Sequence, residues 1–173
     1  MVTKKSVDPT NGIRPAGRQV PMRDFSSSLP MSLLRAREAV MRQFRPSLRE
    51  HGLTEQQWRI LRALAAIGAV EVTELARTAF LLGPSLSRIL RDLEARHLIE
   101  RKTAKEDQRR SMVSISERGV KLMASIAPTS EAIYAQITRR YGARKLAELQ
   151  EMLGELEQSL GSSEHIDEIA EDT

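Results

Sequence analysis

Hydrophobic positions recur at helical spacing along most of the chain. Leu33, Arg37, Val40, Phe44 and Leu48 step by four, three, four and four residues, which predicts a helix over residues 32–49. Arg37 interrupts its apolar stripe. Gly52 supplies a C-terminal stop. Thr54, with Gln57 three residues on, forms a capping box that opens a second helix. Trp58, Leu61 and Leu64 or Ala65 form its inner stripe, and Gly68 ends it. Residues 71–76 read as a short extended stretch followed by a brief helix capped by Thr73 and ending near Phe80, Leu81 and Leu82. Gly83 and Pro84 then predict the turn, since proline is well tolerated where a helix starts.

The segment 84–97 carries the sharpest pattern. Leu86, Ile89, Leu90 and Leu93 lie at i, i+3, i+4 and i+7 and share one face. Pro84, Ser87, Arg88 and Arg91 repeat that spacing on the opposing side, with Ser85 beside them. One face packs, and the other offers hydroxyls and guanidinium groups. A brief helix, a tight turn and a helix of this kind make the sequence form of a helix-turn-helix. Residues 98–103 and 112–115 suit two short strands around a polar stretch, hence a hairpin. Residues 101–110 hold five basic and two acidic side chains, a local net charge of +3. A hairpin at this place is the wing of a winged helix-turn-helix. Ser116 caps a helix running to Tyr141, with Pro128 predicting a kink or short break inside it. The last helix starts near Ala143. Its Leu146, Leu149, Leu153, Leu156 and Leu160 follow a seven-residue repeat suited to packing against the first helix and a second subunit.

Charge is distributed unevenly along the 173 residues. Residues 1–29 carry Lys4, Lys5, Arg14, Arg18 and Arg23 against Asp8 and Asp24, a net +3. Residues 161–173 carry Glu164, Asp167, Glu168, Glu171 and Asp172, a net −5. The whole chain is +4, so residues 30–160 hold +6 and favour a polyanionic partner. The first segment, without periodicity, reads as a flexible basic arm, and the last as a solvated acidic tail. Cysteine is absent, which excludes disulfides, thiolate metal sites, thiol nucleophiles and cysteine redox sensing. His51, His97 and His165 are scattered, which argues against a histidine metal or catalytic site. Aromatic residues are 3%, too sparse for a platform that stacks single strands. Catalytic glycine, serine and histidine motifs are missing, so no enzyme and no cofactor are expected. With neither a secretory h-region nor a long apolar run, the expected location is the cytoplasm, away from membranes.

Three stretches together resemble the MarR family of transcription regulators. They are Leu53-Thr54-Glu55-Gln56-Gln57-Trp58-Arg59-Ile60-Leu61, the helix and strand stretch from Pro84 to Ile99, and Asp107-Gln108-Arg109-Arg110 followed by Val113-Ser114-Ile115-Ser116-Glu117-Arg118-Gly119. Their order and spacing cover about residues 30–160. Leu33-Leu34-Arg35-Ala36-Arg37-Glu38-Ala39 and Phe44-Arg45-Pro46 look most like the homoprotocatechuate-operon regulators within it. The resemblance implies a mainly α fold, a winged helix-turn-helix with N- and C-terminal helices forming a dimerisation lobe. The implied division is an arm over 1–29, dimerisation helices over 30–52 and 117–160, a DNA-binding domain over 53–116 and a tail over 161–173. His97 stands where the family usually has glycine, at a position that can require a positive φ.

The resemblance further implies a homodimer on a pseudo-palindromic double-stranded operator, probed by two helices about 34 Å apart. Its genes would be released by a small phenolic or aromatic carboxylate. Pro84, Ser85, Ser87, Arg88 and Arg91 are the candidate major-groove residues, with Arg88 as base reader and Arg91 on phosphate. Arg109 is the candidate minor-groove residue at the wing tip, and Asp107 braces that loop. Arg77, Lys102, Lys105 and Arg110 are phosphate candidates. For the ligand, Arg37 is either a carboxylate clamp or an ion-paired or snorkelling side chain. Trp58 lines the ligand pocket or is plain core, and His51 lies near that pocket or only ends its helix. The rival reading is a winged-helix module that binds protein, or binds DNA without sensing a ligand.

Overall fold

The computed structural model describes residues 24–103 and 111–161. The chain divides into two units between Arg37 and Glu38. In the first unit, Asp24 caps a 3-10 turn, Phe25–Ser27, ahead of α1, Leu29–Glu50. The Ser26 hydroxyl beside the Asp24 carboxyl holds it below the usual carboxylate range. The end of the segment expected to be an arm thus holds a 3-10 turn and the first residue of α1, which starts three residues before Ser32.

The second unit continues with α2 (Glu55–Ile67), β1 (Val70–Glu71), α3 (Val72–Ala79), α4 (Gly83–Ala95), β2 (Ile99–Thr103), β3 (Ser111–Ile115), α5 (Glu117–Tyr141) and α6 (Ala143–Ser159). The strands form one antiparallel sheet in the order β1-β3-β2. Val70 pairs with Val113, and Ile99 pairs with Ile115 at the far end of the hairpin. One core holds the unit together. Ile60, Leu61 and Leu64 of α2 meet Leu75 of α3, Leu86, Leu90 and Leu93 of α4, Val113 of β3 and Ile126 of α5. Each fully buried leucine contributes about 1.5–3 kcal/mol relative to exposure.

The capping signals act as their chemistry dictates. Thr54 accepts from the Gln57 N–H at 3.2 Å, and the Gln57 side chain accepts from the Thr54 N–H at 2.8 Å. Ser116 accepts from the Gly119 N–H at 3.0 Å and donates to the His97 carbonyl at 2.7 Å. Arg45 joins α1 to α2 by bridging Glu38 at 2.5 Å and Glu55. Its hydrogen bonds to Glu38 and then Glu55 raise the guanidinium pKa further.

Several expectations need correction. Thr73 does not cap α3: the helix already starts at Val72, with Glu71 at the cap position and no side-chain bond. The two residues before it are paired to β3, so the chain enters α3 directly from the sheet. Gly83 and Pro84 lie inside α4. The chain reverses earlier, at Phe80, whose φ of 50° is left-handed. There Leu81 N–H reaches the Ala76 carbonyl at 3.0 Å, closing the helix end that glycine usually closes. Pro128 interrupts nothing, and α5 runs through it. The stripe of α1 is buried only at Phe44 and Leu48, while Leu33 and Val40 are exposed. In the single chain no residue of α6 is buried, and Leu153 and the capping Leu160 are exposed.

His97 has a φ of 56°, the left-handed value the glycine replacement pointed to. Leu98 N–H bonds the Leu93 carbonyl at 2.9 Å across it. A left-handed non-glycine residue costs about 1–2 kcal/mol, and glycine gives part of that back as unfolded-state entropy. His97→Gly is therefore expected to stabilise the fold by roughly 0.5–1 kcal/mol. Urea unfolding with an unchanged slope against denaturant checks it. A lower midpoint would show that the imidazole is worth more than the backbone strain.

Candidate nucleic-acid interface and ligand pocket

Helix α4 has two sharply different sides. Leu86, Leu90 and Leu93 are fully buried and Ile89 nearly so. Pro84, Ser87, Arg88 and Arg91 are exposed together on the other side, and Ser85 is half-buried at their edge. The first of these sides fixes the helix; the second is left for a partner. Polar bonds fix its rotation as well. Gln57 Nε2 donates to Asp92 Oδ2 at 2.6 Å, and Arg96 Nη1 donates to the Gly52 carbonyl at 2.9 Å. Arg91 Nε lies 3.5 Å from the Ser87 carbonyl, a long contact that leaves most of its donors outward.

The helix before it is tied down at its exit. Arg59 Nη1 donates to the Ala79 carbonyl at 2.9 Å, satisfying a helix-end acceptor. Arg77 is exposed in the last turn of α3, on the approach to α4. On the wing, Lys102 is exposed and pairs by register with Met112. Arg101 is half-buried, with Nε 3.7 Å from Glu94 Oε2, so it ties β2 back to α4 by charge. That distance is too long for a hydrogen bond. Lys105, Asp107, Arg109 and Arg110 lie outside the described residues.

A second feature opens between α2 and α5. Trp58, Arg62, Ala65, Val120, Met123, Ala124, Ala127, Ser130 and Glu131 line a pocket of about 300 Å3. Its walls are largely apolar, with one guanidinium, one hydroxyl and one carboxylate. Arg62 Nη1 is 3.3 Å from the Tyr134 hydroxyl, which steers it along α5. Trp58 and Ser130 also line a narrow gap with Phe44, Ser47, Leu48, Ile126 and Ile133. The Ser47 hydroxyl is buried there without a hydrogen-bond partner. Such an orphan carries a desolvation cost of about 1–3 kcal/mol.

Trp58 and His51, both candidates for the ligand site, line different pockets. Trp58 lines this pocket while remaining nearly buried core. Arg37 is exposed on α1. His51 belongs to a different pocket, with Arg96, His97 and Arg118. Arg62, not among the residues singled out from the sequence, also lines the pocket at Trp58, one helical turn after that residue. Among the described residues, no group of His, Cys, Asp and Glu could hold a metal ion, and no helix is long and apolar enough to cross a membrane.

A buried three-helix core, an α4 face of hydroxyls and guanidinium groups, and a following β-hairpin define a winged helix-turn-helix protein. A model of the MarR family matches residues 51–110. The homoprotocatechuate degradative operon repressor of Escherichia coli is 39% identical over 81% of this chain and 94% of that protein. The crystal structure of NadR in complex with 4-hydroxyphenylacetate superposes with a TM-score of 0.68 at 38% identity, covering 79% of this chain and 97% of NadR. The repressor CouR, bound to a 23-mer DNA duplex, superposes with a TM-score of 0.70 at 25% identity over 80% of this chain and 99% of CouR. The chain belongs to the MarR family of transcriptional regulators. It is a DNA-binding regulator and not an enzyme.

Proposed function

We propose that the protein is a homodimeric cytoplasmic repressor that binds a pseudo-palindromic operator and is released by a small phenolic or aromatic carboxylate. The observation that carries the DNA half is the exposed set Ser87, Arg88 and Arg91 on a helix whose other face is fully buried. Arg88 donates two bonds to guanine O6 and N7, Ser85 and Ser87 reach neighbouring base edges or phosphate, and Arg91, Arg77 and Lys102 hold phosphates. Arg109 enters the minor groove from the wing, braced by Asp107, while Lys105 and Arg110 add phosphate contacts. Dimerisation is supported by apolar side chains that one chain leaves uncovered on the terminal helices, among them Leu33, Val40, Leu153 and Leu160. The homoprotocatechuate operon repressor and CouR, both repressors by name, support the direction of control.

The ligand half rests on the pocket at Trp58. An aromatic ring fits the apolar walls, Arg62 takes the carboxylate in a two-pronged pair, and Ser130 or Glu131 takes a ring hydroxyl. The complex of NadR with 4-hydroxyphenylacetate supports this class of ligand. Arg62 therefore replaces Arg37 as the carboxylate clamp. Release of DNA requires the ligand to bind the DNA-incompetent conformation more tightly.

Arg62→Ala is expected to bind operator DNA like wild type while losing response to 4-hydroxyphenylacetate and related acids by roughly tenfold or more, as for a lost charge-assisted pair. Fluorescence anisotropy with each acid titrated into the preformed complex reads both quantities. Equal release of wild type and variant by every acid would remove Arg62 from the site.

A further inference from the structure

The pocket that holds His51 is separate from the one at Trp58 and has a different chemistry. It measures about 330 Å3 and sits where the α1–α2 turn, the end of α4 and the start of α5 converge. His51, Arg96, His97 and Arg118 line it, with Leu98 and Leu122 among the apolar residues. No carboxylate is among its lining residues. We propose that this pocket seats one anionic oxygen group, a phosphate or a carboxylate, delivered by the DNA backbone or by a free small anion.

Arg96 and His51 are oriented before any anion arrives. Arg96 is pinned through Nη1 to the Gly52 carbonyl at 2.9 Å, with Asp92 Oδ2 at 3.6 Å. Its planar fork therefore has a fixed orientation, with Nε and Nη2 left over. His51 Nδ1 lies 2.8 Å from the Ser47 carbonyl, which fixes the orientation of the ring. The His97 backbone is clamped by the Ser116 hydroxyl on its carbonyl. It is also left-handed, at φ 56°, where glycine would be free of strain. Strain of this kind persists where the surroundings over-determine it, and at functional sites in particular.

Arg118 is the uncommitted member. It is exposed, and among the described residues it makes no hydrogen bond or ion pair. Its backbone is nevertheless well fixed, because the adjacent Gly119 packs flat against the Leu98 carbonyl. Two guanidinium groups lining one pocket are suited to an oxyanion, because each can donate paired hydrogen bonds to it.

The location links this seat to the reading helix. Ala95, which also lines the pocket, lies seven residues after Arg88 and so falls on the same side of α4. The pocket thus opens at the C-terminal end of the face that reads bases. A phosphate flanking the read bases would reach it, and so would a free anion that changes how α4 presents itself. The DNA arm of this proposal rests on the proposed operator binding; the free-anion arm does not.

Two measurements on wild type and Arg118→Ala decide it. In the first, operator affinity is followed by anisotropy across a salt series. If the seat takes a backbone phosphate, the variant weakens binding to operator and random duplex alike, and its log–log salt slope falls by about one. In the second, inorganic phosphate is titrated into DNA-free protein while the imidazole signals of His51 and His97 are followed by NMR. If the seat takes a free anion, both signals move saturably in wild type and not in the variant, with salt slopes equal. Equal slopes together with no saturable shift in wild type would overturn the proposal. Failure of wild type to prefer operator over random duplex would count against the repressor reading alone, because the phosphate titration still reports on the pocket.

Discussion

Arg88→Ala is expected to bind operator and random duplex with nearly equal affinity, losing about tenfold to a hundredfold of sequence preference, in line with the ~1–3 kcal/mol carried by one bidentate base contact. The reason is its place on α4. Arg88 is exposed beside Ser87, and its backbone is set by Leu86, Leu90 and Leu93, which do not move without opening the core. The variant removes a reader and leaves the scaffold. Arg77→Ala, on the flank of α3, should behave differently, weakening all duplexes alike and lowering the salt slope by about one. Competition anisotropy with matched and scrambled duplexes separates the two. If Arg88→Ala kept the wild-type preference, α4 would not be the element that reads the bases in the way described.

Gly119→Ala is expected to destabilise the fold by about 3 kcal/mol, an effect at the upper end for overpacking. An added Cβ would lie 2.2 Å from the Leu98 carbonyl oxygen and 2.7 Å from Ile115 Cγ1. The first neighbour is backbone, held by the Ser116 N–H at 3.1 Å, so it cannot swing aside as a side chain could. Relief requires α5 to lift from the wing, which also loosens the Ser116 cap. The melting temperature should fall by about 6–12 °C, taking roughly 2–4 °C per kcal/mol for a chain of this size. Val120→Ala, next along α5 and exposed, is the control and should change stability by less than about 0.5 kcal/mol. A melting temperature for Gly119→Ala within that control range would mean that the wing and α5 are not packed as described.

Much of this was legible in the sequence because the signals are local. The capping box at Thr54 and Gln57, the Ser116 cap, and the two faces of α4 each depend on residues within a turn or two of one another. His97 could be read because a single substitution for glycine marks a backbone conformation. The failures have physical causes as well. Phe80 was missed because a bulky aromatic is an unusual choice for a left-handed helix end, and nothing beside it advertises the turn. β1 is two residues long, and its pairing with β3 across more than 40 residues leaves no periodicity to detect. The role of Arg37 does not follow from the pattern alone, because only the lower part of its stripe is buried in one chain. Arg62 needed the tertiary fold, because its pocket is completed by α5 side chains such as Val120, Ser130 and Glu131.

The central claim is that this regulator reads a specific DNA sequence and lets go of it when an aromatic acid binds. Anisotropy of a labelled duplex from the promoter flanking its own gene tests this directly, with and without a panel of phenolic acids and their CoA thioesters. Binding is expected to be stronger than to a scrambled duplex, to fall with salt, and to be abolished by one compound of the panel. Binding no tighter than to the scrambled duplex would contradict it, and tight binding that no compound alters would contradict the sensing half.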